Sequence, residues 1–129
     1  MNKILIQISV GELLDKISIL EIKKGKIKNP EKLRFISDEY DILKDQLDHN
    51  VKSSDKLNSL FQSLKEINAK LWVIEDDKRM CEKNSDFTQN FIKLSRDVHF
   101  LNDDRAKIKL EINNYTGSII KEIKEYISY

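Results

Sequence analysis

Cysteine occurs once in the chain, at Cys81, which excludes a disulfide framework and a thiolate metal cluster and fits a reducing cytoplasm. Proline also occurs once, at Pro30, and glycine only three times, so little interrupts a helical backbone. Neither sign of charge is in excess: the formal net charge of +1 gives no global reason to expect nucleic acid or an anionic membrane as partner. The opening MNKILIQISV has a short apolar run and one lysine, too short to span a bilayer and without a small-residue cleavage site. It reads as part of the fold and not as an address. Glycine-rich phosphate loops, zinc-ligand spacings, basic patches with interleaved aromatics, internal repeats and linkers are all missing.

What is there is helical. Of the residues, 40% are hydrophobic and 35% charged, dominated by Leu, Ile, Lys and Glu, and 129 residues suffice for one domain, residues 1–129, with a core that needs no disulfide or metal. Ile4, Ile6 and Ile8 alternate with Leu5, Gln7 and Ser9, which predicts a short extended segment. Such a segment must pair with residues 126–129, pair with the same segment of a second subunit, or not be a strand at all.

Ser9 and Glu12 have capping-box spacing, so a first helix starts near Val10 and runs to about Lys24, where Gly25 can end it. Its inner face is Val10, Leu13, Leu14, Ile17 and Leu20, continued by Glu21 and Lys24, while Ile19 and Ile22 mark a second covered side. Asn29 and Pro30 open a second helix with Leu33, Ile36, Tyr40, Leu43 and Leu47 inward, and residues 52–55 form a loop. A long third helix follows Ser54 or Asp55, with Leu57, Leu60, Leu64, Ile67, Leu71 and Ile74 on one face. A fourth begins near Phe87 or Thr88 and presents Phe91, Leu94, Val98, Leu101, Ile108 and Ile112, with Ile92, Phe100 and Leu110 on a reverse side that is expected to be covered as well. Gly117 caps it, and Ser118 can cap a short last helix carrying Ile119, Ile120, Ile123 and Tyr126. The expected fold is all-α: an antiparallel bundle of about four main helices, with a short N-terminal extended segment and a short C-terminal helix.

The apolar stripes are interrupted by charge. Glu21 and Lys24, then Glu75, Lys78, Arg79 and Glu82, then Asn102, Arg105 and Lys109 stand where core is expected, with Trp72 at the edge. An uncompensated buried charge costs several kcal/mol, so each needs a partner or water. The simpler reading is an ion-pair network or a solvated groove; Glu75 and Arg79 are spaced to pair locally. The sharper reading is an interhelical site of Glu21, Trp72, Glu75, Arg79, Asn102, Arg105 and Lys109, in which guanidinium groups hold a phosphate or carboxylate. Arginine is scarce here (Arg34, Arg79, Arg96 and Arg105), which draws attention to those positions.

Other chemistry is weakly supported. Glu12 with Asp15, and Glu122 with Glu125, have the spacing of magnesium-binding carboxylate pairs in all-α nucleotide pyrophosphatases, but lie at opposite ends of the chain in the wrong order. Asp76 with Asp77, and Asp103 with Asp104, point about 100° apart on a helix and read as solvated surface. His99, one turn before Asp103, reads as a packed or exposed histidine and Cys81 as a small core residue. No metal, cofactor or catalytic residue is assigned.

Residues 8–23 (ISVGELLDKISILEIK), 71–76 (LWVIED) and 102–113 (NDDRAKIKLEIN), followed by Gly117 and Ser118, resemble an uncharacterised bacterial domain family over nearly the whole chain. The resemblance implies a small soluble bacterial protein with an accessory role, no established activity, and shared polar positions at Glu12, Asp15, Lys16, Glu21, Trp72, Glu75, Asp76, Arg96, Asn102, Asp103, Arg105 and Asn113. The C-terminal Lys124, Glu125, Tyr126 and Ile127 depart from its acidic, lysine-rich ending. These readings converge on a cytoplasmic, non-enzymatic helical binding or assembly module that forms a homodimer through its doubly apolar helices, without nucleic acid or membrane. A small-molecule-binding protein or weak enzyme with an anionic ligand is the alternative.

Overall fold

The computed structural model describes residues 2–128 and contains four helices: α1 (Val10–Lys26), α2 (Pro30–Asn50), α3 (Asp55–Lys83) and α4 (Gln89–Thr116). Three of the four starts are capped by a side chain, that of α4 at Thr88 being the exception. Ser9 Oγ accepts from the Glu12 amide, Asn29 Oδ1 from the Lys32 amide with Pro30 in the first turn, and Ser54 Oγ from the Leu57 amide. Gly117 ends α4 at φ 67°, a left-handed conformation that costs glycine nothing. Gly25 does not end α1: the helix runs through it to Lys26, and three lysines in its last turn favour that continuation by complementing the helix dipole.

Helices α3 and α4 form the long antiparallel hairpin, and α1 lies against α2, α3 and α4. The central place of α1 explains its burial. Leu13, Ile17 and Leu20 are buried on one side and Gly11, Asp15, Ser18 and Ile22 on the other. The core is a cluster of Leu14, Leu57, Leu64 and Ile112, with Val10, Leu47, Val51, Leu60, Phe61 and Ile108 packed around it. Helix α2 has no fully buried residue and its apolar stripe is half-covered. At its contact with α1, the Lys24 ammonium stands 3.6 Å over the Tyr40 ring.

Two expectations are corrected. Residues 118–128 are not helical. The Ser118 hydroxyl does not cap a helix there: it accepts from the Val10 amide and donates to the Ile120 carbonyl, and Ile119, at 98% exposed, has nothing to pack on. A helix so short, without packing, does not repay its nucleation. Tyr129 lies outside the described residues, so a pairing of 126–129 with the N-terminal segment cannot be traced to its end; among the described residues no strand forms. The reverse side of α4 is not covered within the chain either, since Ile92, Phe100 and Leu110 are exposed. No described helix is long and apolar enough to cross a membrane.

Helices α1 and α4 approach closely at Gly11. A Cβ there would stand 2.6 Å from the Lys109 carbonyl oxygen and 2.9 Å from Asn113 Oδ1. The close approach lets α4 finish the cap of α1. Val10 donates to Ser118 Oγ, Gly11 to Asn113 Oδ1 and Glu12 to Ser9 Oγ, so the three amides of the first turn that have no partner within the helix are satisfied before Leu13 makes the first intrahelical bond, to the Ser9 carbonyl. Gly11→Ala is therefore expected to lower stability by about 1–3 kcal/mol, although alanine is the better helix former by about 1 kcal/mol. Gly25→Ala, where nothing lies within 4 Å, is expected to be stabilising. Urea melts of the two variants test this, and a stabilised Gly11→Ala would mean that the helices do not approach so closely.

Candidate functional site

The polar cluster is built on the α1 stripe Gly11, Asp15, Ser18 and Ile22, whose spacing of four, three and four puts all of them on one face. Asp15 is 1% exposed and both oxygens of its carboxylate are hydrogen-bonded. Arg105 of α4 grips it with two hydrogen bonds, Nε to Oδ1 at 2.9 Å and an Nη to Oδ2 at 2.5 Å. Asn68 of α3 donates through its amide nitrogen to Asp15 Oδ1 and to Ser18 Oγ, both at 2.8 Å, and Ser18 donates in turn to the Asp15 carbonyl at 2.8 Å. One turn beyond Arg105, the buried Lys109 ammonium bonds Glu12 at 2.8 Å and Glu122 at 2.9 Å, with Asp15 Oδ2 at 4.0 Å. Lys16 and Lys124 border the cluster through Glu12 and Glu122. Among the described residues no buried side-chain nitrogen or oxygen lacks a partner.

The electrostatics follow. Burial alone would raise the Asp15 pKa, but the hydrogen bonds from Arg105 and Asn68 and the charges of Arg105 and Lys109 outweigh it and hold the carboxyl below its ordinary value. Burial likewise opposes the charge on Lys109, and its bonds to Glu12 and Glu122 overcome that and raise its pKa. The Asp15 carboxylate raises Arg105, and Lys109 lowers Glu122. A carboxylate so depressed, with both oxygens engaged, is a poor base, and a guanidinium gripped at two nitrogens is not a free anion receptor. The chemistry supported here is a clasp between α1, α3 and α4.

The predicted residues therefore separate. Arg105, Asn102 and Lys109 come together, Asn102 Oδ1 accepting from an Arg105 Nη at 3.4 Å. Glu21 pairs with Lys65 of α3 at 2.8 Å and not with an arginine. Trp72 is half-buried, Glu75, Arg79 and Glu82 are exposed, and none of these charged three enters an ion pair among the described residues. The reason is length. Helix α1, of 17 residues, spans about 26 Å against about 43 Å for the 29 residues of α3. Its polar contacts reach α3 at Lys65 and Asn68 and α4 from Arg105 to Asn113. Beyond them the hairpin runs on as two helices, and charge on its inner stripe meets solvent.

Asp15, Asn68, Ser18 and Asn113 were outside the predicted site. The signal for three of them was present: Asp15 and Asn113 are among the polar positions of the resemblance, and Ser18 follows Asp15 on the same stripe. Asn68 has no local signal, since it lies one residue from Ile67 on a stripe that is otherwise apolar. At the far end of the hairpin are two shallow depressions, one of about 250 Å³ against Cys81, Asp77 and Asn90 and one of about 320 Å³ against Lys93, Arg96 and Phe100. No three His, Cys, Asp or Glu side chains among the described residues are placed to hold a metal ion.

The chain belongs to a family described as "Family of unknown function (DUF6165)", whose model matches residues 4–129. No curated protein and no solved structure matches it.

Because the folded pKa of Asp15 is depressed, its contribution to stability is present above the unfolded value of about 3.9 and is lost as pH falls through the folded value. Lys109 has a raised pKa, so its contribution is present below about 10.4 and is lost as pH rises past the folded value. Chemical denaturation from pH 2 to 11 is expected to give a plateau between these limits with an acid limb below about pH 4. Asp15→Asn lowers the plateau and flattens the acid limb. An acid limb of unchanged depth in that variant would remove Asp15 as its cause.

Proposed function

We propose that this chain is a non-enzymatic helical module that works by assembling with a protein surface, a copy of itself included, as a single helical domain in the bacterial cytoplasm. The observation that carries this reading is the closure of the polar cluster: its charges are spent on one another across α1, α3 and α4, so that they hold the bundle together instead of facing a ligand. Apolar side chains are meanwhile left outside, among them Phe35 and Ile42 on α2, Val73 and Met80 on α3 and Ile92 and Phe100 on α4. Surfaces of that kind are what a partner covers. The single buried thiol accords with a reducing compartment.

One observation favours the alternative, a site for an anionic small molecule. The Arg105 side chain is 28% exposed and one of its Nη groups makes only the 3.4 Å contact with Asn102, which leaves a donor edge facing outward. A carboxylate or phosphate would suit that edge.

Melting of wild type and Arg105→Met, each with and without phosphate, nucleotides and magnesium, separates the two. Removing Arg105 strands a buried carboxylate, at a cost of about 3 kcal/mol, so the variant is expected to melt roughly 10 °C lower. For the assembly module no additive moves either protein by more than about 1 °C. A phosphate or nucleotide that raises the wild-type midpoint by several degrees and leaves Arg105→Met unmoved would transfer the assignment to the ligand site.

A further inference from the structure

The segment before α1 is built to pair with itself. Residues 2–8 make no backbone hydrogen bond among the described residues, and Ile4, Leu5 and Ile6 are 84%, 82% and 75% exposed. An apolar stretch with every amide and carbonyl free is a strand edge without a partner. Its sequence is self-complementary. If two copies run antiparallel about a two-fold axis at Ile6, Ile4 stands opposite Ile8 of the second copy, Ile6 opposite Ile6, and Leu5 opposite Gln7. Three isoleucines from each strand then share one face, and Lys3 stands across from Ser9 instead of from another lysine.

A two-stranded ribbon alone is marginal in water and needs a layer over its apolar face. The fold supplies one. The hydrogen bond from the Val10 amide to Ser118 Oγ holds the start of the C-terminal segment beside the end of the N-terminal one, and the bond between Lys109 and Glu122 fastens the next turn of chain there. That segment carries Ile119 and Ile123, exposed at 98% and 81%. Fully burying an isoleucine takes roughly 60–120 Å² out of water, so Ile4, Ile6, Ile119 and Ile123, which exclude Leu5 on the reverse face of the ribbon, offer about 240–480 Å² per copy. A stable dimer buries about 800 Å² per partner, some 65% of it apolar, or roughly 500 Å². With the half-buried Ile8 on the same face, the tails supply most of that area, and the ends of the two bundles that the ribbon brings together supply the rest.

Resting on the assembly reading above, we propose that the partner is a second copy of this chain, joined through an antiparallel ribbon of residues 4–8 centred on Ile6 and covered by Ile119 and Ile123. Ser9 caps α1 directly after the ribbon, so the two bundles are coupled at the N-termini of their α1 helices without a linker.

Sedimentation of the full chain at about 5–200 μM, which reads dimers down to micromolar affinity, is compared with that of Ile4→Lys/Ile6→Lys and of Ile92→Lys/Phe100→Lys. The expected result is a dimer for wild type and the hairpin variant, and a monomer with unchanged helical circular dichroism for the N-terminal variant. A dimer lost only in Ile92→Lys/Phe100→Lys overturns the ribbon and leaves the assembly reading standing on the hairpin. A wild type that stays monomeric throughout overturns the ribbon, whereas the assembly reading itself fails on the ligand-dependent melting described above. Cross-linking guards against a misfolded variant: in a Cys81→Ala background, Ile6→Cys, which meets its own copy on the axis, is expected to oxidise to a covalent dimer at least tenfold faster than Leu5→Cys, which does not. Equal rates overturn the register.

Discussion

The two hydrogen bonds between Arg105 and Asp15 constrain the rest of the packing. A carboxylate with 1% exposure is tolerated only if charge and donors surround it, and here they come from three helices: Arg105 and Lys109 from α4, Asn68 from α3, and Ser18 from its own helix. To bring the guanidinium of α4 onto a residue of α1 the two backbones must come close, and one turn earlier Gly11 lies under the Lys109 carbonyl, with no room for a Cβ. That approach in turn lets Asn113 reach the Gly11 amide. The polar pair, the glycine and the cap are three expressions of one interhelical distance.

Such a clasp adds little to net stability compared with well-packed apolar residues, because both ions give up water to form it. What it supplies is register. Hydrophobic stripes tolerate a slide of one helix past another, since leucine and isoleucine are near-equivalent at successive turns. The Asp15 stripe does not: a shift of one turn would separate Arg105 from its carboxylate, place Lys109 away from Glu12 and drive a side chain into the Lys109 carbonyl where Gly11 now lies. Helix α1 packs on all three others, so a register set at α1 is transmitted to the whole bundle.

The division between what was and was not legible in the sequence follows from the range of the interactions. Capping at Ser9, Asn29, Ser54 and Gly117 depends on residues a few positions away and reads off directly. So do the inner stripes of α2, α3 and α4, because each of these helices is buried along one side only and keeps a single apolar face. Helix α1 contacts three neighbours; Ile19 and Ile22 marked its second covered side, and Ile22 is buried there, but the polar Asp15 and Ser18 that share that side carry no hydrophobic signal. The clasp depends on partners 53 and 90 residues away, and nothing local says which of four arginines meets a buried aspartate. The C-terminal helix failed for the opposite reason. Its local pattern was sound, but Ser118, its intended cap, had a competing partner in the Val10 amide that only tertiary structure reveals.

The candidate site divides along the same line. Charge on the inner stripes of α3 and α4 reads the same from Glu75 to Glu82 as it does at Arg105 and Lys109, yet the two sets have opposite environments. Where α1 lies across the hairpin, charge is enclosed and must be met by opposite charge, so Arg105 is paired with Asp15 and Lys109 with Glu12 and Glu122. Where α1 is too short to reach, water takes its place, and Glu75, Arg79 and Glu82 need no partner at all. A polar interruption of a helical stripe is thus ambiguous between clasp and solvent until the length of the covering helix is known. In this chain the 17 residues of α1 decide it.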